Sequence, residues 1–135
     1  MQLIDTNVLN YAVTDQDILK KRQALWLLHI ALHNRDTAIS PQVLRELANC
    51  LLKFPGQTPA SVQNIIHRLR ILPFIPEPGD VVERALDLKR QYCLQFYDAM
   101  LIATAQAANC DCILSEDLST GQDFNGIRIQ NPFMA

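Results

Sequence analysis

The sequence predicts an α/β fold in which a mostly parallel sheet carries helices on both faces. Short apolar, strand-like segments alternate with amphipathic helical segments, a pattern typical of parallel strands joined by helical crossovers. The chain of 135 residues is long enough to bury a core, and its 49% hydrophobic and 19% charged residues are typical of a folded domain. We therefore expect one domain over residues 1–135.

Composition and charge narrow the range of functions. A net charge of -2 and a pI of about 5.8 count against non-specific nucleic-acid binding through a broad basic surface, although a local basic patch remains compatible. Asp5 interrupts the N-terminus before any signal-peptide core, and the longest apolar run, residues 24–32, is too short to span a bilayer. We expect a soluble, cytoplasmic protein with no membrane association.

Soft metal ligands do not form a recognisable zinc pattern. None of the four cysteines belongs to a CxxC pair, so we expect reduced and mostly buried thiols. They are Cys50, Cys93, Cys110 and Cys112. His29 and His33 share a helical face, but no HExxH motif accompanies them, so we expect them at the surface or facing a partner.

The chain opens with a short apolar strand, Leu3–Ile4, that turns directly into a helix. Asp5 or Thr6 is the expected N-cap, because either side chain can accept a hydrogen bond from a free N–H of the first turn. A long helix over residues 18–33 follows, and its apolar spacing predicts a stripe of leucines. Those leucines are Leu25, Leu28 and Leu32.

The second strand–helix unit begins at residues 37–39, and Ser40 before Pro41 is a strong helix start. An apolar stripe is expected to face the core, comprising Leu44, Leu47, Ala48, Leu51 and Leu52. Glu46 lies beside that stripe. Its position is compatible with a solvated residue paired to Arg45 or Lys53, or with partial burial.

The second half continues the alternation. A loop rich in Pro and Gly precedes a helix over residues 59–69, and residues 72–75 are a candidate edge strand because of Pro73 and Pro76. A capping box at residues 80–83 begins a helix that ends near Tyr92. Two further strands are expected at residues 112–114 and 127–129, joined by a loop that contains Gly121 and Gly126.

The segment from Tyr97 to Ala105 predicts a helix that is packed on several sides, because it is apolar and rich in small residues. Asp98 falls in its first turn, where the helix dipole would favour an ionised carboxylate. Two interpretations of Asp98 remain open at this point. It is either the N-cap of the helix or a metal ligand.

Four acids occupy comparable positions in this fold. Asp5 and Asp117 follow strands, Asp98 begins a buried helix, and a further acid, Glu46, lies on a helix after a strand. Sites in such folds form at the carboxyl ends of the strands, so the four acids can converge. Two charges about 4 Å apart repel by about 4 kcal/mol at an effective dielectric constant of about 20, which favours a compensating cation. Mg²⁺ or Mn²⁺ bound by oxygen ligands suits phosphodiester hydrolysis better than zinc chemistry does.

The same residues lie in segments that resemble the motifs of PIN-domain nucleases. The matching segments occur in the family's order and cover nearly the whole chain. They are residues 3–9, 40–46, 97–105 and 113–118, followed by residues 126–133.

The resemblance implies a three-layer α/β/α sandwich and a Mg²⁺- or Mn²⁺-dependent ribonuclease that hydrolyses RNA. It assigns the metal and the catalysis to Asp5, Glu46, Asp98 and Asp117. Thr6 and Ser115 match supporting polar positions. Glu116 lies beside Asp117 and is an alternative ligand, but the spacing from Ser115 fits the family's Ser/Thr-x-Asp pattern and favours Asp117.

The small size of the chain makes it most similar to VapC-type toxins of toxin–antitoxin pairs. This similarity implies a homodimer and a cognate antitoxin whose tail fills the groove near the acids. Candidates for RNA backbone contacts, or else solvated helix faces, are Lys20–Arg22, Arg45, Lys53, Arg68 and Arg70. An RNA-processing PIN nuclease without an antitoxin, a non-catalytic PIN scaffold and an acidic-pocket switch module are the alternatives. The switch module is disfavoured because Asp5 has no acidic neighbour and no lysine follows residues 127–129.

Overall fold

A computed structural model describes residues 1–134. The described part of the chain contains five strands: β1 (Gln2–Ile4), β2 (Thr37–Ala38), β3 (Cys112–Leu114), β4 (Asp123–Phe124) and β5 (Ile127–Gln130). It also contains six helices: α1 (Thr6–Val13), α2 (Ile18–Asn34), α3 (Pro41–Leu51), α4 (Pro59–Leu69), α5 (Val81–Tyr92) and α6 (Phe96–Ala107).

The strands form one sheet in the order β2-β1-β3-β5-β4, in which only the β4–β5 pair of the described strands is antiparallel. Leu3 lies opposite Ala38 and Ile113, and Ile113 lies opposite Ile129, so one sheet face carries a buried apolar row. The crossovers β1→β2 and β2→β3 run in opposite directions. Right-handed crossovers therefore place helices on both faces, which confirms the predicted α/β/α arrangement.

The β4–β5 hairpin corrects the sequence interpretation, which expected a loop before residue 127. Asn125 and Gly126 both have positive φ, at 54° and 95°, and they form the two-residue connection between the strands. An Asn-Gly pair adopts this conformation readily, so the turn signal was present. Phe124 then becomes one of the largest fully buried side chains.

The expected edge strand at residues 72–75 is reduced to a single parallel bridge between Ile39 and Phe74. Ile39 N–H donates to the Pro73 carbonyl at 2.9 Å, and Ile75 N–H donates back to the Ile39 carbonyl at 2.8 Å. Pro73 has no N–H, so the ladder cannot extend further along this segment.

Helix starts were predicted with mixed success. Asp5 is the N-cap of α1 and accepts a hydrogen bond from Thr6 N–H at 2.7 Å, and Ser40 caps α3. The capping box proposed for α5 is wrong, because Asp80 makes no capping bond and instead accepts a hydrogen bond from Arg84 Nε at 2.9 Å. A side chain that pairs with a cation four residues later is no longer available to the first-turn N–H groups.

Two apolar stripes are rotated relative to the prediction. On α3 the fully buried line is Val43, Leu47 and Leu51, whereas Leu52 lies at the C-cap and is 48% exposed. Leu44 and Ala48 are half-buried. On α2 the buried residues are Ala24 and Ala31, and the predicted Leu25 and Leu32 are exposed. Small residues allow a helix to approach its neighbours closely, so the alanines rather than these leucines face inward.

Cys110 and Cys112 are buried as expected, whereas Cys50 is half-buried and Cys93 is exposed, so the expectation of mostly buried thiols holds for two of the four. Burial raises the pKa of both Cys110 and Cys112. Across residues 1–134, no helix combines the length and the apolar character needed to cross a bilayer.

Candidate active site

A cavity of about 330 Å³ opens at the carboxyl ends of β1 and β3, where α1, α3 and α6 begin. All four acids proposed from the sequence line it. The full lining consists of Asp5, Thr6, Asn7, Gln42, Glu46, Gln95, Tyr97, Asp98, Leu101 and Asp117. Among the described residues, no lysine, arginine or histidine belongs to this lining. The topology therefore brings four carboxylates to one cavity, and no cationic side chain of the described lining neutralises their charge.

Asp5 is the most deeply buried of the four acids, with only 8% of its surface exposed. Its Oδ1 accepts from Thr6 N–H, and its Oδ2 accepts from Ser115 Oγ at 2.8 Å. Burial nevertheless raises the pKa of Asp5 to about 6, and the charges of Glu46 and Asp98 act in the same direction. Desolvation therefore outweighs the hydrogen bonds that favour the ionised form.

Glu46 is held at both carboxylate oxygens. Thr6 Oγ1 donates to Oε2 at 3.0 Å, and Gln42 Nε2 donates to Oε1 at 2.8 Å. The alternative of a solvated Glu46 paired with a neighbouring cation is wrong, because Arg45 pairs with Glu77 at 2.8 Å. Two neutral donors instead orient Glu46 into the cavity without neutralising its charge.

Asp98 is the third residue of α6, and Gln95 is the N-cap, so the N-cap interpretation of Asp98 is wrong. Among residues 1–134, no hydrogen bond is donated to the Asp98 carboxylate. Partial burial raises its pKa, as do the charges of Asp117 and Glu46. Desolvation and like charges therefore act against the helix dipole, which was expected to favour the ionised form of Asp98.

Asp117 and Glu116 point to different surroundings. Asp117 lines the cavity, and its Oδ2 accepts from Asn7 Nδ2 at 3.1 Å. Glu116 forms an ion pair with Lys20, which also lies over the rings of Tyr11 and Phe133. The geometry therefore favours Asp117 over Glu116 as the fourth carboxylate of the cavity.

Asn7 is a site residue that sequence reasoning missed. Its Nδ2 lies within 3.3 Å of Asp5 Oδ2 and of Ser115 Oγ, in addition to its contact with Asp117. Its Oδ1 accepts from Glu116 N–H at 3.1 Å. Asn7 thus connects the start of α1 to the segment after β3, and its position two residues after Asp5 was the available signal.

Gln42 was missed as well. In addition to Glu46, its Nε2 donates to the Tyr97 carbonyl at 2.9 Å, which links α3 to the first turn of α6. The spacing of four residues between Gln42 and Glu46 places both on one helical face, and this was a usable signal. Thr6 and Ser115, for which supporting roles were predicted, donate hydrogen bonds to Glu46 and to Asp5.

The donor set fits a hard divalent cation. It consists of carboxylate and amide oxygens, and neighbouring carboxylates help to raise the pKa of Asp5 and of Asp98. No three acidic, histidine or cysteine side chains among the described residues are close enough to form a ready-made metal cage. Mg²⁺ commonly retains several waters and takes only one or two carboxylates directly, so an open arrangement of this kind suits it.

The family model of the PIN domain matches residues 3–120, a segment that contains all four acids, strands β2 and β3 and most of β1. This chain belongs to the PIN domain family. The antiparallel β4–β5 hairpin lies beyond the matched segment. The PIN domain motifs identified in the sequence are thus consistent with the family match.

Solved structures share this fold. A chain of a toxin–antitoxin complex from Klebsiella pneumoniae matches with a TM-score of 0.74 and 22% identity, covering 100% of both chains. The sarcin-ricin loop cleaving toxin VapC20 of Mycobacterium tuberculosis matches with a TM-score of 0.70 and 16% identity, over 87% of this chain and 90% of that one. A chain of VapBC2 from Rickettsia felis, solved bound to a promoter DNA fragment, matches with a TM-score of 0.72 and 18% identity, over 96% of this chain and 97% of that one. No curated protein shows significant sequence similarity to this PIN domain.

Proposed function

We propose that this PIN domain is a Mg²⁺- or Mn²⁺-dependent endoribonuclease that acts as the toxin of a toxin–antitoxin pair. The observation that carries the proposal is the cavity to which four separate segments contribute Asp5, Glu46, Asp98 and Asp117, while no basic side chain of residues 1–134 lines it. A phosphodiester substrate is itself negatively charged. A cation is therefore needed both to stabilise the carboxylates and to admit the phosphate.

In this proposal the four carboxylates hold the cation directly or through water. When bound, the cation would lower the pKa of a water and offset the negative charge that develops on the phosphate. Thr6 and Gln42 keep Glu46 aimed into the cavity. Asn7 and Ser115 hold Asp117 and Asp5 in relation to each other. Because the pKa of Asp5 is about 6, Asp5 is largely ionised at neutral pH and is available as a ligand.

The partners follow from the same proposal. The structural neighbour from Klebsiella pneumoniae belongs to a toxin–antitoxin complex and is matched along its entire length, and VapC20 is a toxin that cleaves the sarcin-ricin loop. We infer that this PIN domain has a cognate antitoxin that blocks the acidic cavity and that it assembles as a homodimer. RNA cleavage of this kind would take place in the cytoplasm.

RNA cleavage by the purified protein tests the proposed chemistry. Wild-type protein is expected to cleave single-stranded RNA with Mg²⁺ or Mn²⁺ and to lose activity in excess EDTA. Asp5→Asn is expected to lose at least 100-fold, whereas Asp111→Asn, at an exposed carboxylate before β3, remains within twofold of wild type. Full activity in Asp5→Asn would refute the role assigned to that carboxylate.

Expression in cells tests the toxin assignment separately. Induction of the wild-type chain should stop growth, and co-expression of the adjacent gene product should restore it. Growth arrest should be absent with Asp5→Asn. A wild-type chain that cleaves RNA in vitro but does not affect growth would favour an RNA-processing nuclease without an antitoxin.

A further inference from the structure

An exposed aromatic side chain that is not part of the hydrophobic core lies at the rim of the acidic cavity. Tyr97 lines the cavity beside Asp98, and 59% of its surface is exposed. Among the described residues, its hydroxyl group makes no hydrogen bond. An exposed tyrosine at the entrance of a polar cavity is available to a ligand, because more than half of its surface is open to solvent.

Two contacts fix the position of Tyr97. Its carbonyl accepts a hydrogen bond from Gln42 Nε2 at 2.9 Å, which holds the backbone against α3. Its ring meets that of Phe96 edge to face, with centroids 5.4 Å apart and an interplanar angle of 68°. Phe96 is itself half-buried and packs against the core. These two contacts restrain the backbone and the ring of Tyr97, so less conformational freedom is lost when a ligand binds.

The charge of the cavity indicates the kind of contact that a nucleic acid needs here. Carboxylates repel every phosphate except the one that a cation neutralises, and no lysine or arginine among the described residues lines the cavity. The basic candidates Lys20 and Arg45 are paired with Glu116 and Glu77. Within the cavity itself, contacts to the nucleotides beside the scissile phosphate are therefore neutral, and an aromatic face and an amide can provide them.

We propose that Tyr97 is a stacking platform for the nucleobase next to the scissile phosphate. The neighbouring Gln95 also lines the cavity, and its side-chain amide makes no capping bond to α6, so it is free to bond the edge of the same base. This inference rests on the proposed nuclease function and specifies its substrate class as RNA with an unpaired base at that position. A base inside a duplex is already stacked on its neighbours and cannot be presented to an aromatic side chain.

A mutant cycle between protein and RNA tests the proposal. Cleavage sites are first mapped on a pool of random-sequence single-stranded RNA, and a decamer centred on one site is then made with an abasic residue at each flanking position in turn. Tyr97→Ala and the abasic decamer should each lower kcat/KM by about tenfold to 100-fold, the range expected for the loss of one base–aromatic stack. Combined, they should lower it no further than either change alone. Tyr97→Phe should remain within twofold, because the ring face is retained.

The controls separate stacking from bulk and from misfolding. Tyr97→Leu keeps an apolar side chain without a ring face and should lose nearly as much as Tyr97→Ala. Trp26→Ala removes an exposed aromatic side chain that does not line the cavity and should have no effect on cleavage. Full additivity of Tyr97→Ala with every abasic position, or wild-type activity in Tyr97→Ala, would overturn the proposal and leave the nuclease function standing.

A binding experiment decides the case in which no cleavage is found, which would count against the nuclease function itself. Single-stranded RNA decamers with 2-aminopurine at alternate positions are titrated with wild-type protein in the presence of Mg²⁺, because the RNA stays intact in this case and Asp5 remains available to the cation. Stacking on Tyr97 should quench the fluorescence, and the quench should be absent in Tyr97→Ala. Equal quenching by both proteins, or none by either, would overturn the platform.

Discussion

Asp5 is the carboxylate whose ionisation is most costly in the folded protein, so Asp5→Asn is expected to stabilise the metal-free protein at neutral and alkaline pH. Burial raises the pKa of Asp5 from its ordinary value of 3.8 to about 6. The folded state therefore holds this proton more tightly than the unfolded chain does. The resulting stabilisation is fully present below pH 3.8 and is lost as the pH rises through 6.

The magnitude follows from the size of the pKa change. A change from 3.8 to about 6 corresponds to about 3 kcal/mol at about 1.4 kcal/mol per pKa unit, of which about 2 kcal/mol is lost between pH 4.5 and pH 8. The asparagine does not ionise, but its amide nitrogen faces the Ser115 hydroxyl, which donates to Asp5 in the wild type. Losing that hydrogen bond costs about 1 kcal/mol. The expected net gain for Asp5→Asn is about 2 kcal/mol at pH 8 and close to zero at pH 4.5.

Urea unfolding in metal-free buffer at pH 4.5 and pH 8 measures this difference, since a comparison of variant with wild type cancels the titration of all other groups. Asp15→Asn is the matched control, because it makes the same chemical change at an exposed carboxylate that pairs with Lys21 at the surface. A free-energy difference between Asp5→Asn and wild type that is equal at the two pH values would refute the argument that burial of this charge destabilises the fold.

Three further outcomes are expected. Glu116→Gln should keep RNA cleavage within about threefold of wild type, because Glu116 pairs with Lys20 outside the cavity. Asp117→Asn should lower cleavage at least tenfold, because Asp117 lines the cavity. Equal losses in a cleavage assay would contradict the assignment of Asp117. Asn7→Ala removes the link between Asp5 and Asp117, so it should lower cleavage by tenfold or more. The free energy of unfolding in urea should fall by about 1 kcal/mol. Unchanged cleavage would exclude this role of Asn7. Mg²⁺ at 100 times its Kd should stabilise the wild type by about 2.7 kcal/mol at pH 7.5. The gain should shrink at pH 5, where Asp5 is mostly protonated, and a thermal-shift assay with equal gains at both pH values would contradict this competition.

Local signals predicted most of the helix and strand order correctly. Ser40 before Pro41 and the position of Asp5 after a strand each specify a helix start through short-range chemistry, and both are N-caps in the structure. Asp98 misled the assignment because Asp is a good cap and Gln95 is not, yet the helix already begins at Phe96. Phe96 packs against the core, and the helix begins there, about one turn earlier than residue propensity alone indicates.

The candidate site could be predicted in its acids but not in its supporting contacts. The acids occupy positions defined by strand ends and helix starts, so topology brings them together. The contacts of Asn7 join residues more than 100 positions apart, to Ser115 and Asp117, and no spacing rule in one sequence reveals them. The spacing of four residues between Gln42 and Glu46 could have indicated the hydrogen bond between them. Predicting it also required knowing which side of α3 faces the cavity.

The separation between Asp5 and Ser115 also has a consequence for the order of events during synthesis. These residues are 110 positions apart, and β1 lies between β2 and β3 in the sheet. At about 5–20 residues per second, the ribosome adds Ser115 roughly 6–20 s after Asp5. Throughout that interval the nascent chain has neither the partner strand for one side of β1 nor the hydroxyl that orients Asp5. The acidic cavity can therefore form only late in translation, and an incomplete chain would expose an unpaired β1 edge before it acquired any activity.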